Sequence, residues 1–345
     1  MPSLPWLVEV APEAPLCEAA DAALRPRFKA VRKHFRGAVQ TSDKNGDHVH
    51  QLREAVRRSL AAIHLYKDLL PKQKRRRVKR FLRELRKAAG AARDWDVFAN
   101  WLAQIGLPSE LEFARELGLK HARQARRSVQ PGLKRLYEAT PAAELKSQMR
   151  RLRPKLRRSR ALSTADAPAT FASDAARRLR ENTADFFEAA AEHPRELTDL
   201  HYLRIQTKRL RYKLEMLANA LPPPKLEALY ALLRDLQGRL GAINDRATAA
   251  EFLQTWRVGR QPEEQALVRN LEEQNSALLR TDLAAFHAWW TPEQQGKIHS
   301  ALLELTNPAE PSSNDGREPP RTAGGSSSGC GPRRRKRRCK PRGLR

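Results

Sequence analysis

The sequence predicts an all-α chain built by internal duplication, and three observations carry that expectation. Amphipathic periodicity runs from residue 18 to 305, strand-forming patterns are scarce, and a motif recurs at a constant offset of 151 residues. Ala, Leu, Arg and Glu dominate, whereas Val/Ile/Thr runs with a period of two hardly appear. With 345 residues and 40% hydrophobic content, the chain is long enough to bury a substantial core.

In chain order, residues 1–17 are Pro-rich and non-periodic, and are predicted to form an N-terminal extension. Residues 18–305 read as successive helices, with breaks expected at Pro71, Gly90, Pro108, Gly132/Pro141, Pro168, Pro194, the Pro222-Pro223-Pro224 run, Gly241, Pro262 and Pro292. Residues 306–345 turn to Pro, Ser and Gly and then to GPRRRKRRCKPRGLR, a composition expected to be disordered. That tail holds eleven Lys/Arg against three Asp/Glu, only part of a formal net charge of +27. The helical region is therefore strongly basic in its own right, and an anionic partner is the first expectation.

The repeat is specific. His50, Leu52, Arg53 and Arg58 match His201, Leu203, Arg204 and Arg209, while Arg57 meets Lys208. Leu70-Pro71 falls on Leu221-Pro222, each closing a helix before proline. Leu82-Arg83-Glu84-Leu85 falls on Leu233-Arg234-Asp235-Leu236, Gly90-Ala91 on Gly241-Ala242, and Asp94 on Asp245. One register kept across helix, turn, helix and turn implies a true duplication, with repeats at about 18–165 and about 166–305. The shared Gly-x-x-(Arg/Asn)-Asp element reads as a left-handed glycine ending one helix and a short polar side chain capping the next.

At about 100° per residue, His201, Arg204, Lys208 and Arg211 share one arc of the second repeat's first duplicated helix, with Tyr212 at its edge and Leu203, Leu210, Leu214 and Leu217 opposite. In the first repeat His50, Arg53, Arg57 and His64 share an arc, opposed by Leu52, Val56, Ile63 and Tyr66. Four such groups over ten helical residues extend roughly 15 Å, a rail for an extended anion and not a point site. Guanidinium forks match phosphate oxygens, lysine adds a mobile charge, and histidine adds charge near its own pKa. A solvated face is the plain alternative for one such stripe; two stripes in one register favour a shared ligand. The second half is expected to bind more strongly, because the counterpart of Arg211 is Leu60. Arg83 and Arg234 join the candidate site through their matching positions, and the runs Lys72 to Arg80 and Arg150 to Arg160 read as solvated faces or a steering rim.

Neither metal nor catalysis is expected. His48 and His50 point to different sides of a helix, the stripe offers arginines where a metal would need acids, and no nucleophile or activated water is evident beside His50 or His201. Roles for Asp94, Asp96 or Asp245 in metal binding lack a second carboxylate cluster. Cys17, Cys330 and Cys339 show no zinc-type spacing, no apolar run reaches membrane-spanning length, and the N-terminus has no signal-peptide pattern, so a cytoplasmic protein without cofactor is expected.

HVHQLREAVRR, LHYLRIQTKRLRYKLE and the paired turns GAARDWDV and LGAINDRA resemble the conserved-histidine α-helical domain family, CHAD, over roughly residues 20–305. The resemblance implies two pseudo-symmetric antiparallel four-helix bundles around a basic central channel that binds inorganic polyphosphate. By position it places His50, Arg53, Arg57 and Arg58 in the first half of that site, and His201, Arg204, Lys208, Arg209 and Arg211 in the second. Ser59-Leu60 departs from the arginine the family commonly carries there. Without the strand-rich CYTH partner found in some relatives, a stand-alone binding member at polyphosphate granules is expected. Two other classes remain open: a nucleic-acid-binding protein, for which the tail is suited to weak contact but aromatic platforms are few, and an enzyme of phosphate metabolism acting on the same ligand.

Overall fold

Helices account for every regular element among the described residues of this computed structural model, which are 10–40, 47–153, 170–191, 194–258 and 260–306. The expected disordered tail, the break at Pro168 and most of the Arg150 to Arg160 run lie outside them. The first repeat comprises α1 (Leu16–Gln40), α2 (Asp47–Leu65), α3 (Lys72–Gln104), α4 (Glu112–Glu138) and α5 (Ala142–Leu152). The second comprises α6 (Phe171–Arg180), α7 (Ala184–Ala191), α8 (Leu197–Leu217), α9 (Pro223–Arg257), α10 (Pro262–Trp289) and α11 (Pro292–Thr306). Shifted by 151 residues, α2, α3, α4 and α5 land on α8, α9, α10 and α11, so the repeat reaches helices where side-chain identity has faded.

Prolines mark the helix starts. Pro71 and Pro222 are N-caps, and Pro223, Pro262 and Pro292 open α9, α10 and α11, where a missing N–H costs nothing. The expected breaks at Gly90 and Gly241 are absent, because α3 and α9 run straight through them; the break expected at Gly132/Pro141 falls at Pro141, the N-cap of α5, with α4 running through Gly132. The Gly-x-x-(Arg/Asn)-Asp element is therefore no cap and turn. At Gly90 the reason for glycine is close approach, since a Cβ there would stand 3.0 Å from Nη1 of Arg53; at Gly241 nothing lies within 4 Å. The helical period still holds, and the two glycines cost only propensity.

In the first repeat α1, α2, α3 and α4 close a ring of neighbours, and between repeats the packing joins α1 to α6, α2 to α8, α3 to α9 and α4 to α10. Contacts between equivalents are the signature of a pseudo-two-fold axis. Leu52, Val56 and Ile63 on α2, Tyr66 just past its end, and Leu203, Leu210, Leu214 and Leu217 on α8 are all buried, as the periodicity predicts. Burial of each such side chain stabilises by about 1.5–3 kcal/mol. One apolar cluster joins α1, α2 and the start of α3 to α6, α8 and the start of α9; a second joins Phe98, Trp101 and Leu102 to Leu253 and Trp256 at the far ends of α3 and α9. Both cores draw on both repeats.

Polar contacts also lock the repeats together. The Phe171 and Ala172 amides donate to the Ala14 and Pro12 carbonyls at 2.9 and 2.8 Å, and Val10 is buried, so part of the expected extension packs on the helical body. Arg178 of α6 reaches Asp68 at 2.6 Å and the Leu65 carbonyl at the end of α2, and lies over the Tyr66 ring.

Candidate functional site

The two stripes meet because α2 packs on α8 across the pseudo-two-fold axis. Arg53 pairs with Asp94 at 3.3 Å and Arg204 with Asp245 at 4.0 Å, the same pair in both registers. The duplicated aspartates thus anchor the duplicated arginines, with α3 and α9 as the supports. Burial, outweighing the paired carboxylate, holds each guanidinium below its ordinary pKa; Arg57 adds to the effect on both.

Lys208 and Arg57 occupy equivalent positions, and neither has an ion pair among the described residues. Burial pushes the Lys208 ammonium down to about 7, reinforced by Arg204, Arg57 and Arg53 and opposed by Asp245. An ammonium from one repeat therefore feels two guanidiniums from the other. Arg53, Arg57, Arg204 and Lys208 form the centre of the basic site, and two carboxylates leave it with an excess of positive charge.

The histidines differ. Nδ1 of His201 lies 2.7 Å from Asn244 Oδ1, whereas the residue equivalent to Asn244 is Arg93. Burial and then Arg93 hold His50 below its ordinary value. His50 is half-buried and His201 exposed.

Other expected residues lie at the margin of this centre or make contacts of their own. Arg58 lies 2.9 Å from Glu54 and 3.2 Å from the buried Glu215, over the Tyr212 ring. Its equivalent, Arg209, is exposed and donates to Gln206 at 3.1 Å. Arg211 donates to Gln237 at 2.5 Å and to the Tyr230 hydroxyl at 2.6 Å, and stacks over that ring. Leu60 as counterpart is thus no measure of relative strength, because Arg211 is held inside the second repeat. Arg83 is exposed on α3. Arg234 lines a cavity of about 610 Å³ between α9 and α10 with Asp235, Arg239, Asp282 and Phe286.

Sequence reasoning missed Arg86, Arg93 and Lys213. Arg86 interacts with Arg57 and Arg209, so it extends the basic centre along α3. Its position three residues after Arg83 on one helix was the available signal. Lys213 is buried, donates to the Asn182 carbonyl at 3.1 Å, and is pushed down to about 8 by burial, with Asp185 opposing and Arg209 and Lys67 adding. His64, pushed down to about 4 by desolvation and by Lys213, Lys67, Lys79 and Arg209, ends the first stripe among cations.

Among the described residues no group of three or more His, Cys, Asp or Glu is arranged to hold a metal ion, and Asp96 is tied to Arg126 at 3.0 Å. No described helix is long and apolar enough to cross a membrane.

A family model described as the CHAD domain matches residues 8–254. The crystal structure of the CHAD domain from the plant Ricinus communis superposes with a TM-score of 0.62 at 23% identity, covering 88% of this chain and 97% of that one. At this identity the likeness is one of fold. PptA from Streptomyces chartreusis gives a TM-score of 0.49 at 14% identity, covering 85% of this chain and 98% of that one. No curated protein sequence matches.

Proposed function

This chain belongs to the CHAD domain family, and on that premise we propose that it binds inorganic polyphosphate on the paired faces of α2 and α8 without turning it over. The observation that supports this is the meeting of Arg53 and Arg57 with Arg204 and Lys208, matched positions of two repeats converging with too few carboxylates to balance them. Such a centre is stabilised by an anion that spans it, and a chain of phosphates supplies charge at the spacing of the rail. Arg86, His50 and His201 flank the centre and extend it. Recruitment to polyphosphate granules in the cytoplasm is the cellular role proposed for this affinity.

Titration of a defined-length polyphosphate into the full chain tests the assignment. Arg53→Ala/Arg204→Ala is expected to lose affinity by orders of magnitude and to flatten the salt dependence. Unchanged affinity would sink the assigned site. Displacement of polyphosphate by duplex DNA or RNA at physiological salt would instead favour the nucleic-acid reading, and phosphate release with Mg²⁺, abolished in His201→Ala, would favour an enzyme.

A further inference from the structure

Glu215 is the one place where the 151-residue register exchanges a base of the first stripe, His64, for an acid. Its side chain is wholly buried on α8, an expensive position for a carboxylate unless cations and donors surround it. Four elements supply them. The Tyr230 hydroxyl of α9 donates to Oε1 at 3.0 Å, Arg58 Nε of α2 lies 3.2 Å from Oε2, and Arg27 of α1 and Arg211 of α8 add attraction. Tyr230 in turn receives Arg211 at 2.6 Å. Glu215 thereby gathers one cation from each repeat's stripe.

The grip on Arg58 is one of charge more than of alignment. Arg58 Nε and Glu215 Oε2 are both buried without a hydrogen bond of good angle, although the ion pair is close. The Arg58 side chain keeps 27% exposure beside Arg57, so a released guanidinium has space to turn toward a ligand. The first repeat carries no such arrangement, because its residues equivalent to Arg211, Glu215, Tyr230 and Gln237 are Leu60, His64, Lys79 and Arg86.

We propose that Glu215 is a built-in counter-anion that withholds Arg58 and Arg211 from the bound polyanion, setting how many cations of the two stripes the ligand engages. It is a positioning residue, acting through the two arginines, and the proposal rests on the polyphosphate reading above. Neutralising the carboxylate without changing its shape leaves Arg58 with Glu54 as its one acid and removes the attraction on Arg211, loosening both guanidiniums, so binding gains where a merely structural residue would only lose stability.

The test is the salt dependence of polyphosphate binding by the full chain. In Glu215→Gln the slope of log K against log salt is expected to steepen by about one to two units, roughly one for each released cation, with tighter binding at low salt. Glu215→Asp, which keeps the charge, is expected to retain the wild-type slope. Tyr230→Phe removes the hydroxyl that links Arg211 to Glu215, leaving Arg211 on Gln237, and is expected to steepen the slope by up to about one unit, which keeps the test open should Glu215→Gln not fold. Wild-type binding with an unchanged or shallower slope in the folded variants would overturn the counter-anion alone. Failure of the wild type to bind polyphosphate would overturn the reading beneath it as well.

Discussion

The two repeats share helix boundaries and the Arg–Asp pairs, yet their interiors diverge where α2 and α8 continue past the rail. In the first repeat Leu60, His64, Lys79 and Arg86 leave an end with two cations and no acid; in the second Arg211, Glu215, Tyr230 and Gln237 close into a hydrogen-bonded network. The helix before each rail differs too. α1 is continuous, whereas its counterpart breaks between α6 and α7, and the freed Asn182 carbonyl accepts from Lys213, whose equivalent is the buried Ala62. A duplicated fold has kept what positions the shared arginines and varied what neutralises the charge behind them. On this reading the first half presents more uncommitted charge to a ligand than the second.

The largest effect expected from breaking this comparison is on stability. Ala62→Lys places an ammonium where α1 offers no broken turn to receive it, and should cost several kcal/mol in a denaturant titration. Full wild-type stability would show that the acceptor at Asn182 is not what admits Lys213.

The next effect is on pH dependence. Lys208, near 7 in the free protein, is charged when an anion lies against it, so binding above pH 7 takes up a proton. Affinity should therefore weaken as pH rises through 7, by up to about tenfold per unit, and level off below it. Lys208→Arg holds its charge throughout, as Arg57 does in the first repeat, and should flatten that profile in calorimetric titrations. His50, held below its ordinary value, adds charge only on the acid side.

A smaller contrast lies in the glycines. Gly241→Ala meets nothing and should stabilise by about 0.5–1 kcal/mol with no change in affinity. Gly90→Ala gains the same propensity but crowds Arg53, and should weaken polyphosphate binding a few-fold. Equal affinities in the two variants would remove the close-approach role of Gly90.

Much of this was legible in the residues. Leucine and arginine periodicity on α2 and α8 marks both the buried and the basic face, and the fixed register identifies the duplication and the family. Gly90 and Gly241 misled because glycine signals a helix end and a close backbone approach alike, and only the packing of Arg53 distinguishes them. Arg58 and Arg211 lie on or beside the right arc, yet a wheel does not show that Glu215 and Tyr230 face them from the partner helices. Arg86 escaped notice because its register partner, Gln237, is uncharged.

The central claim is that two repeats hold one anion between them. Calorimetric stoichiometry with a defined-length polyphosphate, compared across wild type, Arg53→Ala and Arg204→Ala, tests it most directly. One ligand per chain is expected in all three, with either substitution weakening that single event. Two ligands per wild-type chain, and one lost in each variant at unchanged affinity for the other, would show two independent half-sites and contradict the account.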